Sequence, residues 1–190
     1  METGKYKTGS RRGIDNSKGR LNLPFTPFHF GPALLFGLVL TTLFHLPTLL
    51  VASAAPDLEP FVVLYFHIHD YPLHGFFHSY LGSSILAVLV VICIFPLRNP
   101  LGKFMRIFRI PQKSSFRMIL LTAFAGSYSH VFMDSFLYGE MKPFYPLEGN
   151  PFLNVLEAFG SYSVVYGFCG LAFLSGLALY IWRAAKEFRT

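Results

Sequence analysis

The sequence predicts an all-α protein, an integral membrane bundle of about four to five helices. Three observations lead to this fold class. Hydrophobic residues make up 53% of the 190 residues and charged residues only 14%, whereas soluble domains carry about 25% charged residues. Long apolar runs recur along the chain, and basic residues cluster beside them, as they do at the flanks of membrane helices. These flanks also explain the net charge of +6, so nucleic acid is not an expected partner.

The chain divides into two basic tails and one membrane domain. Residues 1–22 contain six Lys and Arg residues among Gly, Ser and Thr. Such a composition cannot bury a core, so we predict a flexible N-terminal tail. Residues 23–182 form the predicted transmembrane domain with its polar site, and residues 183–190 form a second basic tail.

The first apolar run, residues 30–55, has two interpretations. As one helix it would cross the bilayer core of about 30 Å. Pro47 interrupts the run, and proline breaks or kinks a helix, so a helical hairpin is the alternative. A hairpin would bring His29 and Asp57 to one membrane face, whereas a single span would separate them. We favour the hairpin because His29 otherwise has no evident reason to lie at a membrane entrance. Its two helices would cover residues near 29–45 and 48–55.

Three further spans complete the predicted topology, at residues 79–97, 118–138 and 159–182. The loop at 98–117 carries six basic residues and no acidic residue, so we place it in the cytoplasm. The connecting segment 56–77 and the proline-rich segment 139–157, which we interpret as a lid or an interfacial loop, then face outward. We therefore expect a multi-pass protein of the cell (inner or plasma) membrane whose polar site faces outward.

Histidine and aspartate residues at helical spacing indicate a metal site. His74 and His78 stand four residues apart, and His130 and Asp134 repeat the spacing. If these segments are helical, both side chains of a pair lie on one helix face. Acidic residues inside membrane helices are costly and are usually paired or functional. Asp57 is the next carboxylate at the same depth. Imidazole and carboxylate ligands suit a divalent ion, with zinc favoured and manganese or iron as alternatives.

Other polar residues have structural explanations. A buried hydrogen bond between His130 and Asp134 could by itself tie two helices together. Glu59 is explained equally well as part of a solvated turn. His67 and His69 alternate as surface residues do, and His45 adjoins the break in the first run. Ser79 has no clear base of its own, so we expect it to cap a helix or to donate a hydrogen bond to a neighbouring site residue.

Four motifs occur in the same order as in a known family. With them, roughly residues 23–150 resemble the LexA-binding, inner-membrane-associated hydrolase family, also known as membrane-bound metal-dependent hydrolases. That family shows an H-R-G-x-T-H-S stretch, which His78 and Ser79 match. Leu73 stands at the first histidine of the stretch, His74 at the arginine and Phe77 at the threonine. The motifs are Thr26-Pro27-Phe28-His29, Ala55-Pro56-Asp57-Leu58-Glu59, Gly75-Phe76-Phe77-His78-Ser79 and His130-Val131-Phe132-Met133-Asp134.

The resemblance implies both a ligand set and an activity. The implied ligands are His29, Asp57, His78, His130 and Asp134, and the hairpin is favoured because His29 must reach the others. The expected function is metal-dependent hydrolysis of a phosphoester, with a lipid-borne substrate favoured. The metal would activate a water, and Asp57 or Asp134 would bind the metal or accept the proton of that water.

A non-catalytic role is the alternative function. The protein would then be an accessory subunit of a membrane complex, with a structural or vestigial metal site. The small size, the 22 Phe and 10 Tyr residues, and the altered histidine motif favour this alternative. Membrane lipids and other membrane proteins are the expected partners in either case.

Overall fold

A computed structural model describes residues 27–187, and within this range the regular structure is entirely helical. The all-α class is therefore confirmed, with seven α-helices instead of the predicted four or five. The predicted tail at 1–22 lies outside the described residues, and the first residues of the predicted C-terminal tail continue the last helix. The helices are α1 (Phe30–Val39), α2 (Leu46–Ala54), α3 (Leu58–Tyr65), α4 (Tyr80–Ile94), α5 (Arg98–Ile107), α6 (Phe116–Ser135) and α7 (Ser161–Glu187).

The two additional helices lie in segments that the sequence predicts to be connections. Helix α3 falls within the segment 56–77, and α5 falls within the loop 98–117. Each contains a proline in its first turn, Pro60 and Pro100 respectively. Backbone N–H groups in the first turn of a helix have no partner within that helix, so proline is tolerated there.

The first apolar run folds as two helices joined by a turn. Helix α1 ends at Val39, and α2 begins one residue before Pro47. Two contacts hold the turn against the following part of the bundle. The backbone N–H of His45 donates to Thr122 Oγ1 of α6 at 3.1 Å, and the Gln112 side chain accepts from the backbone of Leu46 at 2.9 Å. The start of α1, next to His29, and the end of α2, next to Asp57, therefore lie at the same end of the molecule.

Helices α2, α4 and α6 pack closely because their facing residues are small. A Cβ atom at Gly126 of α6 would lie only 2.8 Å from the Cβ of Ala52 in α2. The hydroxyl of Ser127 donates to the Ala52 carbonyl at 3.3 Å across the same contact. This close approach brings the end of α2 against the last turns of α6. The core they share is Ala52, Ala55, Leu86, Ala87, Val90, Val91, Ile94, Ile119 and Ala123.

Helix α7 packs along α1. Gly31 lies directly against the carbonyl of Cys169, where a side chain would collide. At the other end of the pair, the guanidinium of Arg183 donates to the Leu38 carbonyl at 2.6 Å. Over Ser161–Lys186, α7 is long and apolar enough to cross a membrane.

Two bent helix pairs could provide further crossings. The chain bends by 41° between α2 and α3 and by 79° between α4 and α5. Each pair is long and apolar enough to cross a membrane only when its two helices are taken together. Among the described residues, there is thus one candidate span by itself, or up to three if each bent pair is a single span.

The fold separates its polar residues into two ends. His29 precedes α1, Asp57 follows α2, His78 precedes α4 and Asp134 closes α6, so these four lie at one end. The opposite end contains α5, the start of α6 and the end of α7, which carry most of the basic residues of the described chain.

Candidate metal centre

Four buried side chains meet at the polar end of the bundle. They are Asp57, His78, His130 and Asp134, and each offers one donor atom such that all four donors lie within 4.8 Å of one another. His130 and Asp134 lie one turn apart on α6. Asp57 follows α2, and His78 closes a short 3₁₀ turn before α4, which Ser79 caps as predicted by accepting from the Gly82 N–H at 3.0 Å.

Hydrogen bonds orient both histidines toward the centre of this group. His130 Nδ1 lies 2.7 Å from the Ser53 carbonyl oxygen, which can only accept, so Nδ1 carries the proton. His78 Nδ1 lies 2.8 Å from a carboxylate oxygen of Glu59 and donates in the same way. In neutral imidazole the Nε2 atom of each ring then presents a lone pair to the group. Metal-binding histidines are commonly held through the other nitrogen like this.

The atoms that face one another in the group lack ordinary partners. His78 Nε2 and His130 Nε2 are buried and form no aligned hydrogen bond within residues 27–187. His130 Nε2 lies 3.1 Å from Asp134 Oδ2 and 3.7 Å from Asp57 Oδ1, and His78 Nε2 lies 3.7 Å from Asp134 Oδ2. Lone pairs that face carboxylate oxygens repel them unless a cation lies between. A proton or a metal ion could supply that positive charge, and this donor set suits a divalent metal.

His29 joins the centre from the start of α1. Its Nε2 atom lies 3.1 Å from Asp134 Oδ1, and its ring lies 4.1 Å from the His130 ring between centroids. Both side chains of the His29–Asp134 pair are buried. His29 is not part of the group of four mutually close donors, but its contact with Asp134 makes it a candidate for a fifth ligand.

His74 lies beside the group of four. Its ring is 4.8 Å from the His78 ring and stacks on Tyr138 at 3.6 Å, and its Nδ1 atom lies 2.9 Å from Glu140 Oε1. The predicted i, i+4 pairing of His74 with His78 assumed a helix. The chain is instead irregular before the 3₁₀ turn that begins at Phe76, so the two rings do not share one helix face.

Glu59 has a larger role than its sequence context indicates. This buried carboxylate accepts from His78 and from Tyr71 Oη, at 2.8 and 2.6 Å. It also accepts from the backbone N–H groups of Gly75 and Phe77, at 3.1 Å each. The solvated turn considered for Glu59 is therefore wrong. The position of Glu59, two residues after Asp57, was a sequence signal for its role at the site. Nothing in the sequence indicated that the Ser53 carbonyl would bind His130.

A cavity of about 400 Å³ adjoins the centre on the side of His74. Glu140 and Lys142 lie on its wall, in the segment 139–157 predicted as a lid or an interfacial loop. The hydrogen bond from His74 holds the pKa of Glu140 below its ordinary range, so this wall carries a carboxylate at neutral pH. The lining residues are Tyr71, Pro72, His74, Gly75, Phe76, Glu140, Lys142 and Tyr145.

Comparisons with protein-family models, with curated proteins and with solved structures give no match for this chain. The family resemblance of the four motifs therefore stays a prediction.

Proposed function

We propose that this protein is an integral-membrane, metal-dependent hydrolase of phosphoesters. One observation carries the proposal: two buried histidines, each held through Nδ1, direct their Nε2 atoms at two buried carboxylates without a hydrogen bond. Asp57, His78, His130 and Asp134 would hold the ion, and His29 would complete the set. Zinc fits these nitrogen and oxygen donors best, and manganese or iron would also be accepted.

The surface of the bundle supports a location in the membrane. Large apolar side chains are exposed along α3, α4 and α7, the helices that form or contribute to the candidate spans. In water such a surface would be an association or aggregation site, whereas lipid tails would cover it without cost. The exposed residues on α4 and α7 include Leu81, Ile85, Leu89, Ile92, Leu171, Leu174, Leu177 and Ile181.

Two cavities support a lipid-borne phosphoester as the substrate. The polar cavity beside His74 has room for a phosphate headgroup, which would have to replace Glu148 as the partner of Lys142, since the two side chains form an ion pair at 2.6 Å. A second cavity of about 470 Å³ has an almost entirely apolar lining that includes Pro32 and Met133. Met133 directly precedes Asp134 on α6, so an acyl chain held there would pass alongside the helix that carries two of the proposed ligands.

The chemistry follows from the donor set. A bound divalent ion lowers the pKa of a coordinated water and polarises a phosphoryl oxygen. Asp57 or Asp134 would accept the proton of the attacking water. His78 and His130 would keep their Nε2 atoms on the metal because Glu59 and the Ser53 carbonyl hold the opposite ring nitrogens.

Elemental analysis and a hydrolysis assay on detergent-purified protein test the proposal. We expect at least one divalent transition metal per chain, and metal-dependent release of phosphate or headgroup from phospholipid substrates. The His130→Ala/Asp134→Ala variant should lose both, whereas His69→Ala, which removes an exposed histidine, should lose neither. Protein purified without chelators that contains no stoichiometric metal would refute the metal centre.

The alternative function, a non-catalytic accessory subunit, is favoured by the burial of the centre. His78 and His130 are fully buried, and both aspartates are almost so. A closed structural site has no exchangeable position, whereas a catalytic site keeps one open. Cobalt-substituted protein distinguishes the two, because added azide or phosphate changes the absorption spectrum only where the ion has an open position. An unchanged spectrum together with no hydrolysis would favour the accessory role.

A further inference from the structure

Helix α5 has two chemically distinct faces and no buried residue. Plotted at 100° per residue, Arg98, Lys103 and Arg106 share one side of the helix, while Phe104 and Ile107 share the other. Phe104 is 50% exposed and Ile107 is 76% exposed. A helix with a basic face and an apolar aromatic face is typical of segments that lie in the plane of a membrane interface.

The direction of α5 agrees with this location. It turns away from α4 by 79°, whereas the candidate span α7 runs the length of the bundle. Leu101 packs against the core shared by α2, α4 and α6, which fixes α5 to the end of the bundle. If α4 and α7 run along the membrane normal, α5 lies close to the membrane plane, with Phe104 and Ile107 available to the acyl region.

Two arginines line a small cavity next to the end of α5. The cavity has a volume of about 240 Å³, and no acidic residue among those the structure describes lines it. Arg109 donates to the Ala184 carbonyl at 3.4 Å, and Arg183 donates to the Leu38 carbonyl at 2.6 Å. These bonds fix both guanidinium groups beside the same space. Guanidinium groups recognise phosphate with planar, charge-assisted hydrogen bonds.

We propose that this end of the molecule binds an anionic phospholipid. Arg109 and Arg183 would hold its phosphate, the basic face of α5 would add long-range attraction, and Phe104 and Ile107 would contact its acyl chains. The exposed apolar face selects a lipid over free phosphate, because a soluble anion would leave that face in water. The inference depends on the membrane location proposed above and is independent of the metal centre and of hydrolysis.

The only tryptophan of the chain provides a probe at this site. Trp182 directly precedes Arg183 and is 60% exposed. Brominated lipids quench tryptophan fluorescence on contact, so quenching by brominated phosphatidylglycerol and by brominated phosphatidylcholine in reconstituted bilayers compares the two lipids at Trp182. We expect phosphatidylglycerol to be preferred about fivefold or more, since each basic residue near a membrane surface contributes about a fivefold preference.

Variants test which residues create the preference. The Lys103→Gln/Arg106→Gln and Arg109→Gln/Arg183→Gln variants should each lower the preference about fivefold or more, and the second by the larger factor because it removes the groups proposed to hold the phosphate. Lys103→Arg/Arg106→Lys, which keeps the charge, should retain the preference. Lys142→Gln removes a basic residue at the opposite end and should also retain it.

The outcomes distinguish failure of the lipid site from failure of the membrane location and from failure of the metal centre. Equal quenching of the wild type by the two lipids would overturn the inference, as would an unchanged preference in both charge-removing variants. A chain that cannot be reconstituted into bilayers would refute the membrane location itself. Loss of metal or of hydrolysis would leave the fluorescence result unaffected.

Discussion

Replacing Glu59 with glutamine should weaken metal binding without removing any of the proposed ligands. The two Glu59 oxygens accept four hydrogen bonds, from His78, Tyr71, Gly75 and Phe77. Glutamine offers one oxygen, so in either orientation its NH₂ group faces two of these donors. His78 then loses the carboxylate that holds its Nδ1 proton and directs Nε2 toward the proposed ion.

The size of the effect follows from these contacts. Loss of an outer partner of a metal-binding histidine costs about 10–100-fold in metal affinity, or about 1.4–2.8 kcal/mol. The metal-free protein should also lose stability, because two hydrogen bonds to a charged acceptor contribute about 1.5–3 kcal/mol each. We therefore expect a loss of about 3 kcal/mol or more in the free energy of unfolding.

Competition with a chromophoric chelator measures the metal affinity, and thermal unfolding in detergent with and without metal measures the stability. Glu140→Gln is the matched control, because Glu140 bonds His74, which lies outside the group of four. Its metal affinity should change less than about threefold, well below the loss expected for an outer partner of a ligand. Wild-type affinity in Glu59→Gln together with reduced stability would show that Glu59 serves only the fold, and would refute the reasoning.

Four further predictions concern the bundle, the bound metal, the lid and the topology. Gly126→Ala should destabilise the protein by about 1–3 kcal/mol through overpacking against Ala52, whereas Gly167→Ala, which meets no neighbour, should be neutral or stabilising in the same thermal melt. Chelation should lower the stability of the wild type by about 2.7 kcal/mol relative to protein with metal at 100 times its Kd, and equal melting with and without metal would contradict the site. The folded-state pKa of Glu140 is below its ordinary value of 4.5, so its contribution to stability is present above pH 4.5 and is lost as the pH falls through the lowered pKa. The difference in unfolding free energy between wild type and Glu140→Gln should therefore shrink on acidification. Denaturant titrations at stepped pH measure this difference. In a chain with Cys93→Ala and Cys169→Ala, Asn99→Cys should be labelled from the cytoplasm and Glu148→Cys from outside, and the reverse pattern would overturn the outward-facing site.

The sequence by itself determined the helical class and much of the candidate centre. Apolar runs separated by proline and basic residues indicated helices, and the break at Pro47 indicated a turn between α1 and α2. The spacing of His130 and Asp134 correctly predicted that their side chains lie together, because α6 is a regular helix through both residues. The same spacing of His74 and His78 did not place the two rings on one helix face, because the chain between them is irregular.

Only the tertiary structure decided which groups surround the ligands. The Ser53 carbonyl meets His130 from 77 residues away, Glu59 meets His78 from 19 away, and Glu140 meets His74 from 66 away. No local repeat encodes such contacts, since they depend on how closely α2 approaches α6 and on where the chain returns after each helix. Gly126 determines how closely α2 approaches α6. A side chain at this position would push α2, and the Ser53 carbonyl with it, away from His130.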